Sequence, residues 1–312
     1  ALSIEKDENA HKTLELRAFF RQFDHGDVPE FYYRHLRGDI SRDELFSKFE
    51  IEAHRAKAEA WHAELGGPEH PDRLVDKSIS NALHNLKDHW VLIGGPPCQA
   101  YSLVGRARII GGDGRASYEK DHRHFLYKEY LRIIAQHQPA VFVMENVKGL
   151  LSASVNKAGV FAKILEDLQK PTEAAAGRVS GAIKKVSYAL FPIVNTPSDL
   201  LGRYAPKDYV VRCEDLGIPQ ARHRLIIIGI RSDIRGRPSG IDLGGSTFLE
   251  KVIDDLPPIR SGLSKEEDSA EHWLAAIRAI KSERWWKKQV IARDVSDEIE
   301  KNLDALSGSL TR

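Results

Sequence analysis

Two uninterrupted apolar runs, with a helical stretch between them, constrain this 312-residue chain more than anything else in its sequence. Trp90 to Gly95 and Ala140 to Val147 are rich in Val, Ile and Leu, and Tyr209 to Cys213 and Leu225 to Ile230 have the same character. Runs of this kind, continuous rather than alternating, read as parallel strands covered on both faces. Between the first two, Phe125, Leu126, Tyr130, Ile133 and Ile134 fall at helical spacing within Phe125 to Gln138. Strand, helix, strand in this order predicts an α/β fold with a parallel sheet and crossover helices.

Composition narrows the class further. Apolar residues make up 42% and charged residues 29% of the chain, the balance of a soluble globular protein. The longest apolar runs, such as Leu225 to Ile230, are far too short to span a bilayer, and no N-terminal stretch reads as a signal peptide. Cys98 and Cys213, the two cysteines, make neither a disulfide framework nor a metal cluster. A reducing, cytoplasmic setting without a metal is therefore expected. The net charge of +1 does not exclude nucleic acid, because basic side chains can be gathered on one face. The chain begins with Ala1 and its one methionine is Met144, so a processed or trimmed piece of a longer polypeptide is expected.

Arg42 to Leu65 is charged and helical in composition, and Gly66, Gly67, Pro68 and Pro71 end it. Pro171 to Lys185, rich in small residues, reads as a surface excursion. Beyond Pro257-Pro258 the sequence turns polar and carries Trp273, Trp285 and Trp286, which places a boundary near residue 260. The basic and aromatic cluster from Arg278 to Lys288 suits phosphate contacts or an amphipathic helix with a solvated face.

The chemistry is concentrated in Gly94-Gly95-Pro96-Pro97-Cys98-Gln99-Ala100-Tyr101-Ser102, directly after the first apolar run. In open α/β sheets ligands bind beyond the carboxyl ends of strands. The glycines permit a tight turn, and the prolines stiffen the backbone that leads into Cys98. Most free cysteines are inert core residues, but one presented on such a loop suits a nucleophile. Cys213, inside an apolar run, reads as core.

The Gly-Gly-Pro-Pro-Cys-Gln string followed by Ser102 resembles the cytosine-5 DNA methyltransferase family. Met144-Glu145-Asn146-Val147 matches its Glu-Asn-Val element, and Gln220-Ala221-Arg222-His223-Arg224 its Gln-x-Arg-x-Arg element. The resemblance implies a Rossmann-like class I methyltransferase fold, largely parallel with flanking helices. It also implies S-adenosylmethionine as methyl donor and duplex DNA as substrate. A thiolate adding to carbon 6 of cytosine would make carbon 5 nucleophilic, which gives Cys98 its role. A carboxyl at ring nitrogen 3, favoured in its protonated form by burial, suits Glu145. Arg224, always charged and planar, suits the ring carbonyl, and Arg222 suits the loop or a backbone phosphate. Gln99, Ser102, Asn146 and Gln220 are expected near the substrate. Leu103 to Glu119 reads as a loop that closes over DNA once the base is flipped out.

The resemblance places cofactor contacts at Glu5 (ribose hydroxyls), Asp39 and Ile40 (adenine), Pro96 and Leu126. Two positions depart from the family: Lys6 stands where an aromatic residue often stacks on adenine, and His124 replaces a glycine. The family's glycine-rich loop after its first strand would precede residue 1, and its C-terminal Gly-Asn pair is not visible. Residues 1–260 are thus expected to form an incomplete catalytic domain, and 261–312 the start of a target recognition region or a helical extension. A restriction–modification or related defence system, near the nucleoid, is the implied setting. A tRNA cytosine-5 methyltransferase and a non-catalytic DNA-binding or partner subunit are the alternatives. The Cys-Phe-Thr string usual in the tRNA branch is absent.

Overall fold

The computed structural model describes residues 1–84, 86, 89–96, 127–152, 154, 155, 158–194, 198, 199, 202–256, 262, 263, 267–287 and 293–305. The chain divides into two compact units, Ala1–Thr247 and Phe248–Arg312, a division that falls ahead of Pro257-Pro258.

The first unit opens with strand β1 (Ser3–Glu5) and helices α1 (Glu8–Phe20), α2 (Glu30–Arg37), α3 (Arg42–Lys48) and α4 (Glu50–Glu59). Asp7 caps α1 by accepting a hydrogen bond from the Ala10 N–H, and Ser41 with Glu44 forms a capping box on α3. The single helix expected over Arg42 to Leu65 is broken at Phe49, whose backbone (φ −130°, ψ 63°) is not helical. Its last part is a strand, β2 (Ala60–His62), parallel to β1. Phe19, Leu45 and Phe46 form the centre of an aromatic cluster that binds these helices together.

Helix α5 (Asp72–Leu83) leads to β3 (Val91–Gly94). Next come α6 (Tyr127–His137), β4 (Val141–Val147), a small ladder of β5 (Ser154–Val155) with β6 (Ala158–Gly159), and α7 (Val160–Gln169). Three more strands follow, β7 (Tyr188–Pro192), β8 (Val210–Arg212) and β9 (His223–Arg231). The main sheet runs β3-β4-β9-β7, with β8 also paired to β9. Strands β3 and β4 are parallel, as expected. The expectation of an all-parallel set fails at β9, which is antiparallel to β4, β7 and β8. The result is a mixed α/β sheet of the class I methyltransferase kind.

Alternation along the strands separates the two faces. Phe142, Met144, Leu225 and Ile227 point to one face, where Leu131 and Ile134 of α6 and Phe161, Ile164 and Leu168 of α7 bury them. Gly229 lies flat under the Phe142 ring, and a side chain there would come within 2.2 Å of it. The other face is less covered among the described residues: Val91 is 53% and Ile93 75% exposed. Burial on both faces, which the apolar runs predicted, is thus met on one. Cys213 also departs from expectation, lying half-buried at the start of a 3-10 turn (Cys213–Leu216) rather than in a core strand.

The second unit holds α8 (Glu250–Ile253), α9 (Ala270–Arg278), α10 (Arg284–Lys287) and α11 (Arg293–Ala305). Trp273 donates to Asp268 and Lys281 pairs with Glu300. No described helix in either unit is long and apolar enough to cross a membrane.

Candidate active site

The orientation of β9 builds the site. Because β3 and β4 are parallel, their carboxyl ends share one edge of the sheet. Because β9 is antiparallel to β4, its amino end lies at that same edge, with Arg224 opposite Val147. Residues that follow one strand, end another and begin a third are thereby brought together. Had β9 run parallel, Arg224 would stand at the far edge.

At this edge the Arg224 Nε lies 2.8 Å from Oε1 of Glu145. The Arg224 Nη1 donates to the His223 carbonyl at 2.8 Å, which fixes the plane of the guanidinium. Glu145 is 46% exposed and Arg224 24%, so the pair is open to an incoming group. The burial expected around the Glu145 carboxyl is therefore not found among the described residues.

The two glycines ahead of Pro96 serve close approach. Neither has a positive φ, so the tight turn expected of them is not their reason for being there. A Cβ on Gly94 would lie 2.6 Å from the Tyr130 ring, and one on Gly95 would lie 3.0 Å from Oε2 of Glu145. The absence of a side chain at 95 lets the carboxylate rest against the backbone that leads toward Cys98. Tyr130 secures the same region from below, its hydroxyl donating to the Val143 carbonyl at 2.9 Å. Burial pushes the Tyr130 phenol well above its ordinary range, so it remains a donor.

Asn146, adjacent to Glu145, points to the opposite, covered face and is 5% exposed. Its Nδ2 donates to the Pro96 carbonyl at 3.3 Å, and its Oδ1 accepts from the Val147 N–H at 2.9 Å. The amide expected near the substrate is thus engaged with the protein's own backbone. Arg222 and Gln220 are exposed, and the Arg222 N–H donates to the Gln220 carbonyl in a tight turn before β9. Cys98, Gln99, Ser102, Leu126 and the loop Leu103 to Glu119 lie outside the described residues.

Sequence reasoning passed over Glu214 and His223, which support the arginine segment. His223 Nε2 lies 2.6 Å from Oε1 of Glu214, and Arg212 pairs with the same carboxylate at 3.2 Å. The Glu214 backbone N–H, then His223, then Arg212 hold its carboxyl down at about 2. The register of Arg212 opposite His223, set by β8 and β9, carries no signal in the local sequence.

The cofactor positions have less in common. Glu5 ends β1, and its Oε1 accepts from the Asp7 N–H at 2.8 Å, which leaves the other oxygen for hydroxyl donors. A carboxylate oxygen free to accept suits a ribose hydroxyl of a nucleoside cofactor. Lys6, in place of an aromatic residue, is ion-paired with Glu64 rather than offering a stacking surface. Gly38 is the left-handed cap of α2 (φ 84°), and Asp39 pairs with Arg37 at 3.4 Å. Ile40 packs against the aromatic helical cluster, and its carbonyl lies 3.2 Å from His35 Nδ1.

Comparison with known proteins bears on this arrangement. The chain is 28% identical over 280 residues to the type II methyltransferase M.Bpa9945I of Bacillus paralicheniformis, covering 83% of this chain and 56% of that protein. It is 35% identical over 187 residues to the DNA (cytosine-5-)-methyltransferase M.ApeKI of Aeropyrum pernix, covering 56% of this chain and 32% of the relative. For the type II methyltransferase M.DdeI of Desulfomicrobium norvegicum the identity is 29% over 177 residues, 55% of this chain and 33% of the relative. The chain therefore spans between about a third and somewhat over half of the length of these relatives. The sequence pattern of the C-5 cytosine-specific DNA methylases matches residues 49–171 and 179–304. It takes in Gly94 to Ser102, Glu145 and Arg224, continues past residue 260, and leaves out the N-terminal segment that holds Glu5, Asp39 and Ile40. On this match over most of its length, the chain belongs to the C-5 cytosine-specific DNA methylase family.

Proposed function

We propose that this protein methylates carbon 5 of cytosine in duplex DNA through a covalent adduct of Cys98. The observation that carries the reading is the meeting of Glu145 and Arg224 at 2.8 Å beside the backbone of Gly95 and Pro96, two residues ahead of Cys98 in sequence. One strand end thus presents a carboxyl group and a fixed cation to the same volume.

The Cys98 thiolate adds to carbon 6 of the extruded base, and the electrons of the 5,6 double bond move toward carbon 5 and the ring. A proton on Glu145 meets the charge at ring nitrogen 3. Arg224 binds the ring carbonyl through Nη2, since Nε is held by Glu145 and Nη1 by the His223 carbonyl. Loss of the carbon 5 proton and expulsion of the thiolate then restore the aromatic ring and the free enzyme. S-adenosylmethionine, when bound, supplies the electrophilic methyl group, and Glu5 is the described residue suited to its ribose. Arg222 and Gln220, both exposed in the turn ahead of β9, face the DNA side. Type II methyltransferases among the relatives favour a restriction–modification setting.

Covalent trapping tests the reading. Duplex DNA of random sequence containing 5-fluorocytosine, incubated with the protein and S-adenosylmethionine, should give a denaturation-resistant adduct at Cys98 that Cys98→Ser abolishes. The absence of an adduct from folded protein, or equal trapping on transfer RNA, would overturn the covalent DNA reading.

A further inference from the structure

The guanidinium of Arg224 has two anchors, the Glu145 carboxylate at Nε and the His223 carbonyl at Nη1. The second anchor lies where the sheet itself holds the backbone least. Successive carbonyls along an antiparallel strand point to opposite sides. The Arg222 carbonyl points toward β8, where it accepts from the Cys213 N–H at 3.0 Å, so the His223 carbonyl points toward β4. The β4 ladder ends at the rung of Val147 with Arg224, and the chain then turns into the 3-10 segment Lys148–Ser152. Among the described residues, residue 223 therefore has no ladder bond on either side.

Its side chain supplies the tether. His223 Nε2 lies 2.6 Å from Oε1 of Glu214, in the 3-10 turn Cys213–Leu216, and Arg212 Nε lies 3.2 Å from the same oxygen. The turn is a firm base, capped by left-handed Gly217 (φ 80°) and closed by the Ile218 N–H donating to the Cys213 carbonyl at 3.2 Å. Alternation puts His223 on the covered face with Leu225 and Ile227, and Arg224 on the open face with Glu145. The tether thus acts from one face on a guanidinium that works at the other.

We propose that Glu214 and His223 are positioning residues for the methyl transfer: their bond replaces the missing rung at the start of β9 and so aims the carbonyl that orients Arg224. This rests on the role proposed above for Arg224. With Nε and Nη1 engaged, Nη2 is left for the substrate carbonyl, and its direction follows from the plane of the guanidinium. Hydrogen bonds weaken steeply when misaligned, so a tilted plane should be felt in the reacting ring rather than in the hold on DNA.

Glu214→Ala and His223→Ala cut the tether from either side, so one folded variant suffices, while Glu214→Gln keeps an acceptor for the His223 ring. On duplex DNA with saturating S-adenosylmethionine, each alanine variant should lose roughly 10-fold in kcat with KM changed by less than about threefold. Glu214→Gln should recover most of that rate. In an Arg224→Ala background, single-turnover rates should fall by less than about twofold on adding either alanine substitution. A second readout needs no turnover: the NMR signal of the Arg224 Nε–H, identified by its loss in Arg224→Lys, should exchange with water severalfold faster in the alanine variants. Wild-type kcat in a folded alanine variant, or an equally large loss in the Arg224→Ala background, would overturn the inference. If the wild-type protein transfers no methyl group to DNA, the role of Arg224 falls, and the exchange of its Nε–H still decides whether Glu214 and His223 hold its guanidinium.

Discussion

Two arginine–carboxylate clusters in the first unit use the same residue types to opposite ends. Arg132 on α6 is 1% exposed and is ringed by Asp76 at 2.8 Å, Asp72 at 3.2 Å and Glu129 at 3.9 Å, with His137 on Asp76 at 2.9 Å. Among the described residues Arg224 has a single carboxylate partner, Glu145, which is 46% exposed. The first cluster is buried and joins α5 to α6 through the hydrogen bond of Arg132 Nη1 to Asp76 and the surrounding ion pairs. The second keeps one carboxylate oxygen and one guanidinium nitrogen uncommitted among the described residues. Burial sets the first cluster apart as a structural one, and the open pair at a strand edge as the candidate for chemistry.

The contrast can be broken most sharply at Glu145. Glu145→Gln keeps the shape but alters the proton chemistry, and turnover should fall on the order of 10²- to 10⁴-fold. Thermal unfolding should move by no more than a degree or two, because exposed pairs add little stability. A large loss of stability in that variant would place the pair with the structural cluster instead. The converse substitution is Arg132→Met, which should cost roughly 3 kcal/mol by leaving Asp76 and its neighbours without their cation. A shifted urea midpoint with unchanged activity per folded molecule would bear this out; near-wild-type stability would refute it.

The smallest effect belongs to Glu214, which stands between the two cases, partly covered and paired with His223 and Arg212. Its carboxyl is held at about 2, below the ordinary 4.5, so its contribution is complete above pH 4.5 and is lost as pH falls toward 2. Glu214→Gln should thus be less stable than the wild type near neutrality, and the difference should shrink across that acid window. Unfolding curves that stay equally separated from pH 6 to 2 would contradict the assignment.

Strands with long apolar runs were legible in the sequence, and β7 and β2 were not. Tyr188–Pro192 ends in proline and begins amid polar residues, while Ala60–His62 continues a helical composition without a break. Both become strands because a neighbour offers a free edge, β9 for the one and β1 for the other. The site divides in the same way. Glu145 and Arg224 were legible from residue type and family motif, whereas the place of Asn146 depends on which face of β4 is covered.

By itself the sequence determined that its long apolar runs are strands, that Cys98 follows one of them after two prolines, and that the chain belongs with the C-5 cytosine-specific DNA methylases. The direction of β9 was decided by tertiary structure alone. An apolar run of Leu, Ile and Gly satisfies its backbone equally in a parallel or an antiparallel ladder, so its local pattern carries no direction. Packing of β9 between β4 and β7 supplies it, and that single choice places Arg224 against Glu145.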